Sequence, residues 1–179
     1  YVFKPPATLW VHALAIALFG QNMLAVRILD VGWALATALT VSAIAARWTG
    51  RQRIGALAGV LSTFLYNDFD FWNTCQTDGW FNLPVALAIL LATRVSLGES
   101  PRGALIGAGA LLGLAVTFKY TAAVLCLPAV GVLWFRSNPL AHPRSLLGDI
   151  GRLVVGFVLP LAGTWAWLAY NGNLRGFVE

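Results

Sequence analysis

From Ala104 to Phe135 the chain is apolar apart from the pair Lys119-Tyr120 near the middle and the small polar residues Thr117 and Thr121. This run limits the possible folds more than any other feature. As one straight helix it would be ~48 Å long, well beyond the ~30 Å of a bilayer's hydrocarbon core. Composition says why such a run is affordable at all. The chain is 59% hydrophobic and 11% charged, with a mean hydropathy of +0.74, where soluble domains carry about 25% charged residues. Lipid can solvate that much apolar surface; water cannot. Charge then decides between one span and two. A single span would turn the loop with Arg136, Arg144 and Arg152 outward, against the cytoplasmic bias of arginine-rich loops. Two short spans, 103–118 and 120–135, keep that loop inside and set Lys119 at an outer turn. Each is about 7 Å short, a mismatch that costs only fractions of a kcal/mol per Å.

The same reasoning along the chain predicts an all-α integral membrane bundle in one domain over 1–179. It has about six transmembrane helices plus an N-terminal interfacial helix. Residues 4–20 are too short to span and carry Trp10 and His12, so they lie along the outer interface. The remaining spans are 24–48, 54–66, 79–94 and 153–170, the last weakened at Pro160. Arg47, Arg51, Arg53, Arg94, Arg102, Arg136, Arg144 and Arg152 then fall inside, and Lys4, Arg27, Lys119 and Arg175 outside. The net charge of +5 belongs to this bias. No basic run interleaved with exposed aromatics exists, so no nucleic-acid partner is expected. Cys75 and Cys126 fit neither a metal site nor a disulfide framework and read as free thiols. His12 and His142 are too far apart to suggest a metal, and no cofactor is expected. Gly107 to Gly113 lacks the strand that a phosphate-cradling loop needs. The Gly55/Gly59 and Gly109/Gly113 spacings instead suit close helix packing.

Between the apolar runs lies an island from Tyr66 to Asn82. Asp68, Asp70 and Asp78 alternate there with Phe69, Phe71, Trp72, Trp80 and Phe81. Three carboxylates at the bilayer centre would cost roughly 2.5–3.5 kcal/mol each. The island is therefore either a wet loop at the membrane edge or the floor of a polar site. Arg27 and Asp30 stand one turn apart, close enough to pair. Lys119 either snorkels to the interface or holds an anion such as a lipid phosphate. Lys4, stiffened by Pro5 and Pro6, is either a headgroup anchor or a second phosphate ligand.

Lys4-Pro5-Pro6, Phe19-Gly20, Ala25-Val26-Arg27, Gln76-Thr77-Asp78 and Phe118-Lys119 resemble, in order and spacing, the polyprenyl-phosphate-dependent GT-C glycosyltransferases. The likeness is to the aminoarabinose-transferase and protein-mannosyltransferase-like group of bacteria. It covers most of the chain, and Lys-Pro-Pro ahead of a short helix and Phe-Gly is its most specific part. The resemblance implies a multi-pass enzyme of the inner (plasma) membrane, part of a GT-C fold, with its site facing the periplasm or exterior. Such an enzyme moves a sugar from a polyprenyl-phosphate carrier to a glycan, lipid or protein acceptor. Carried over, Lys4, Arg27 and Lys119 bind the donor phosphate. Asp78, with Gln76 and Asp70 of the same island, lines the sugar or acceptor pocket. The family's catalytic acid precedes the Lys-Pro-Pro motif. No acid stands before Lys4, so the resemblance implies a base upstream of residue 1, no catalytic residue in this chain, and an inactive fragment. The chemistry agrees: cations stabilise a departing phosphate, and a carboxylate must deprotonate the acceptor. A transporter or flippase is the rival reading. It calls for midplane charges in broken helices within inverted repeats, and no repeat is evident. A non-catalytic scaffold explains neither Lys4 nor Lys119.

Overall fold

The computed structural model describes residues 6–68, 77–137 and 143–172. Among these the chain is helical throughout: α1 Pro6–Phe19, α2 Met23–Thr49, α3 Gln52–Asp68, α4 Thr77–Trp80, α5 Asn82–Ser96, α6 Ala104–Phe118, a 3-10 helix Tyr120–Leu125, α7 Cys126–Ser137 and α8 Pro143–Tyr170. Capping explains the first boundaries. Asn22 is extended and its side chain accepts a 2.8 Å hydrogen bond from the Ala25 amide, which starts α2. Gly50 at φ 69° ends it, a left-handed turn that suits a residue without Cβ.

The long apolar run breaks at Lys119, whose backbone is extended (φ −155°, ψ 123°) at the end of α6. A 3-10 turn, unforeseen in the sequence, follows before α7 begins. The final helix is one continuous element that starts ten residues before the expected 153 and runs through Pro160. Proline removes one backbone hydrogen bond there, but the ring is seated on α6: a Cβ at Gly113 would lie 2.6 Å from it. Packing against a glycine holds the helix across the lost bond. The expected span 79–94 resolves into the single turn α4 and the longer α5.

Glycine sets how closely the helices approach. A Cβ at Gly109 or Gly113 would run into the carbonyls of Leu153 and Phe157, and one at Gly156 into the carbonyl of Ile106. The α6–α8 crossing is thus backbone against backbone. Gly55 and Gly59 do the same for α3 on α2, where an added Cβ would meet the Ser42 and Ala38 carbonyls at 2.6 and 2.9 Å. The small-residue spacings read from the sequence are these contacts. Around them Val85, Ala88, Ala92, Leu105, Ala108 and Leu112 form the main core.

What faces outward is equally informative. Leu24, Ile28, Val31, Leu35 and Leu39 are all exposed, and their spacing of three and four residues makes one apolar stripe along α2. Val154, Val155, Val158 and Leu159 are exposed on α8. Two helices, Met23–Thr49 and Ser145–Tyr170, are long and apolar enough to cross a membrane, and only 17% and 22% of their apolar windows are buried. The core helix of a soluble protein would be buried instead. Thr37, Thr40, Thr63 and Thr164 return their hydroxyls to the carbonyl four residues back, which satisfies them within their own helices.

Candidate functional site

Trp80 in α4 is the hub of one end of the bundle. It is fully buried (0% exposed), in a cluster with Ala7 and Val11 of α1 and Phe118 of α6. Val26, Leu29 and Trp33 of α2 pack on the same cluster. Trp33 meets Trp80 edge-on with ring centroids 5.4 Å apart, and its indole donates a 3.0 Å hydrogen bond to the Trp80 carbonyl. It also meets Phe118 edge-on at 6.5 Å. Such edge contacts add about 0.5–1.5 kcal/mol each beyond area burial. The Trp80 indole N–H has no hydrogen-bond partner among the described residues.

Polar groups line the rim of this hub. Thr8 is buried and its hydroxyl lies 3.4 Å from that of Thr77, which ties α1 to α4. His12 is bonded at 2.8 Å to the Thr8 carbonyl and faces Trp80 edge-on at 6.5 Å. Asp30 is 3% exposed and accepts a 2.6 Å hydrogen bond from the Tyr66 hydroxyl at the end of α3. No Arg27–Asp30 ion pair is found among the described residues. Arg27 is exposed, whereas the acid bonds across the helix pair to Tyr66 of α3.

Lys119 follows Phe118 directly and is half-buried at the break between α6 and the 3-10 helix. Lys119 thus directly follows Phe118 of the aromatic cluster, and Arg27 and Asp30 stand next in sequence to its α2 members Val26 and Leu29. Asp78 is carried by α4, between Thr77 and the buried Trp80; its side chain lies outside the described set. Lys4, Asp70, Gln76 and Cys75 also lie outside the described residues. Cys126 is a free thiol. Among the described residues no group of three metal-ligating side chains occurs.

Trp33, Thr8, His12 and the Asp30–Tyr66 bond escape a reading of the sequence. The signal for the last was present, an acid and a phenol on two adjacent apolar helices, but their pairing across 36 positions is a matter of packing. Beside the hub, α2, α3 and α5 enclose a cleft of about 620 Å³. Tyr66 and Asn82 stand at its polar end; Ala34, Val41 and Ile44 carry it along α2, and Val85 and Ile89 along α5. It is mostly apolar, with Thr37 and Ser62 as further polar lining, a composition that accepts a long apolar chain.

No curated protein and no solved structure matches the chain. The family comparison does: a model described as dolichyl-phosphate-mannose-protein mannosyltransferase matches residues 3–167, nearly the whole sequence and every element of the hub, so the chain belongs to that family of membrane-associated glycosyltransferases.

Proposed function

We propose that this chain carries the donor-binding part of a membrane glycosyltransferase that moves a sugar from a polyprenyl-phosphate carrier to an acceptor on the outer, periplasmic face. The observation that supports the reading is the break of the long apolar run at Lys119, directly after Phe118 of the aromatic hub. Scission of the sugar–phosphate bond leaves negative charge on the phosphate, and a preorganised cation there lowers the barrier. Lys119 takes that role, with Lys4 and Arg27 as the further phosphate ligands. Asp78, Gln76 and Asp70 line the sugar or acceptor pocket. The general base is assigned to none of the described acids. The cleft between α2, α3 and α5 suits an isoprenoid tail.

In this reading the interfacial helix is α1, and the six spans are α2, α3, α5, α6, the 3-10 helix with α7, and α8. The inner (plasma) membrane is the setting, with the Lys119 end outside. The exposed apolar stripes on α2 and α8 support a lipid surround.

The test is transfer from a polyprenyl-phosphate-linked sugar by the full-length protein in proteoliposomes. Lys119→Ala should abolish most turnover and Lys119→Arg should keep a larger share, since a cation remains. Equal activity in both variants and in the parent would refute the phosphate role. Sidedness is tested separately by single cysteines at Asn73 and Ser145. A membrane-impermeant reagent should reach only the first from outside, and labelling of both from one side would overturn the topology.

A further inference from the structure

We propose that the end of the bundle remote from Lys119 carries a second binding site, for the headgroup of an acidic phospholipid. A cavity of about 410 Å³ opens there. Arg47 of α2, Gln52 at the start of α3 and Glu99 beyond α5 form its polar part, and Ser42, Ala43 and Leu39 continue it along α2. Asp30 and Arg47 are separated by about 25 Å along that helix, so this cavity is not part of the hub.

Charge at the cavity is unbalanced. The single carboxylate of Glu99 accepts Arg47 Nε at 3.1 Å and lies 3.8 Å from Arg94 Nε. Arg47 Nη1 donates to the Ala43 carbonyl at 3.2 Å. The Arg94 Nε is buried and makes no hydrogen bond, its contact with Glu99 being too long. Arg51 and Arg53, both exposed, flank Gln52 in sequence. Two arginines therefore share one acid, with two more beside Gln52 in the chain, and the pairs to Glu99 hold two guanidiniums in place with donors to spare. A phosphodiester offers two anionic oxygens that the planar guanidinium fork can engage together.

The apolar continuation selects a lipid over a free anion. Leu39 lines the cavity and is also 71% exposed, the last member of the outward apolar stripe of α2. A headgroup held at Arg47 and Gln52 would have an acyl chain running over Ala43 and Leu39 onto that stripe. Inorganic phosphate gains nothing from such a surface. Basic pockets at helix ends are a recurrent way for membrane proteins to hold anionic lipids.

The proposal uses only the membrane setting of the functional reading, and lipid retention is read without any sugar donor, so a failed transfer assay leaves it standing. The protein is purified with phosphatidylglycerol or phosphatidylcholine, and bound lipid is counted by native mass spectrometry alongside thermal melts. Phosphatidylglycerol should stay bound and raise the melting temperature, and phosphatidylcholine should not. Arg47→Gln with Arg94→Gln should weaken retention about 30-fold, whereas Glu99→Gln should keep or strengthen it. If the arginine pair proves necessary for folding, Gln52→Glu places a negative charge in the cavity and should also cut retention. Equal retention of both lipids, or retention unchanged in the arginine and Gln52→Glu variants, would overturn the site. Stabilisation by inorganic phosphate equal to that by phosphatidylglycerol would overturn the lipid assignment.

Discussion

The two ends of the bundle manage buried polar groups in different ways. At the arginine end, acids are matched by cations: Glu99 lies between Arg47 and Arg94, and the buried Asp149 between Arg152 at 3.0 Å and Arg102 at 3.9 Å. Trp48 adds a 3.2 Å bond from its indole to Thr93. At the hub end, hydroxyls and rings predominate: Tyr66 on Asp30, Thr8 beside Thr77, and Trp33 on the Trp80 carbonyl. Ion pairs hold helix ends together and keep their charge tied up in the pairing. The Tyr66 hydroxyl instead satisfies the buried Asp30 by a single hydrogen bond across the α2–α3 pair. The hub end is where the proposed function puts the donor phosphate, and the arginine end reads as fastening plus a surplus of cations.

That contrast can be broken most severely at Trp80. Trp80→Ala should cost about 3–5 kcal/mol, the range for emptying a fully buried aromatic site, read from denaturant or thermal unfolding in a defined detergent. Trp80→Phe deletes an N–H without a described partner and keeps most of the ring, so it should cost markedly less; equal losses would mean that the hub does not depend on packing. Next comes Lys119→Ala, expected to lower turnover about 10²-fold, as removal of a single preorganised charge-stabilising group does. Turnover should fall far more than stability, because the helix already breaks at Lys119. A loss of folding in place of turnover would make Lys119 part of the fastening. Tyr66→Phe should cost about 1–3 kcal/mol, since it takes a donor from a buried carboxylate. A neutral result would show that Asp30 is satisfied without it and weaken the distinction between the ends. The smallest effect belongs to Glu99→Gln, under about 1 kcal/mol, because the pairs it makes are part-exposed and screened. A larger destabilisation would make the arginine end the more critical of the two.

The chain's pattern alone determined the class of fold and several of its joints. Apolar runs interrupted by arginine clusters dictate helices whose outer faces meet lipid, because each backbone polar group must be satisfied within its own segment. Lys119 dictated a break, since the run around it is too long for one span and too charged for a midplane. The glycine spacings announced close crossings, and the ordered motifs from Lys4 to Lys119 pointed to the family. What the pattern could not supply are the pairings across distance. That Trp80 is the hub depends on α4 folding under α1, α2 and α6, and a tryptophan in an acidic island looks from sequence like any interfacial aromatic. That Asp30 turns to Tyr66 and not to Arg27 depends on which side of α2 meets α3. That α8 runs unbroken through Pro160 depends on Gly113 standing opposite. Local periodicity records which face of a helix is apolar; only the tertiary structure decides which neighbour that face meets, because side-chain partners are chosen by how helices cross and not by their order along the chain.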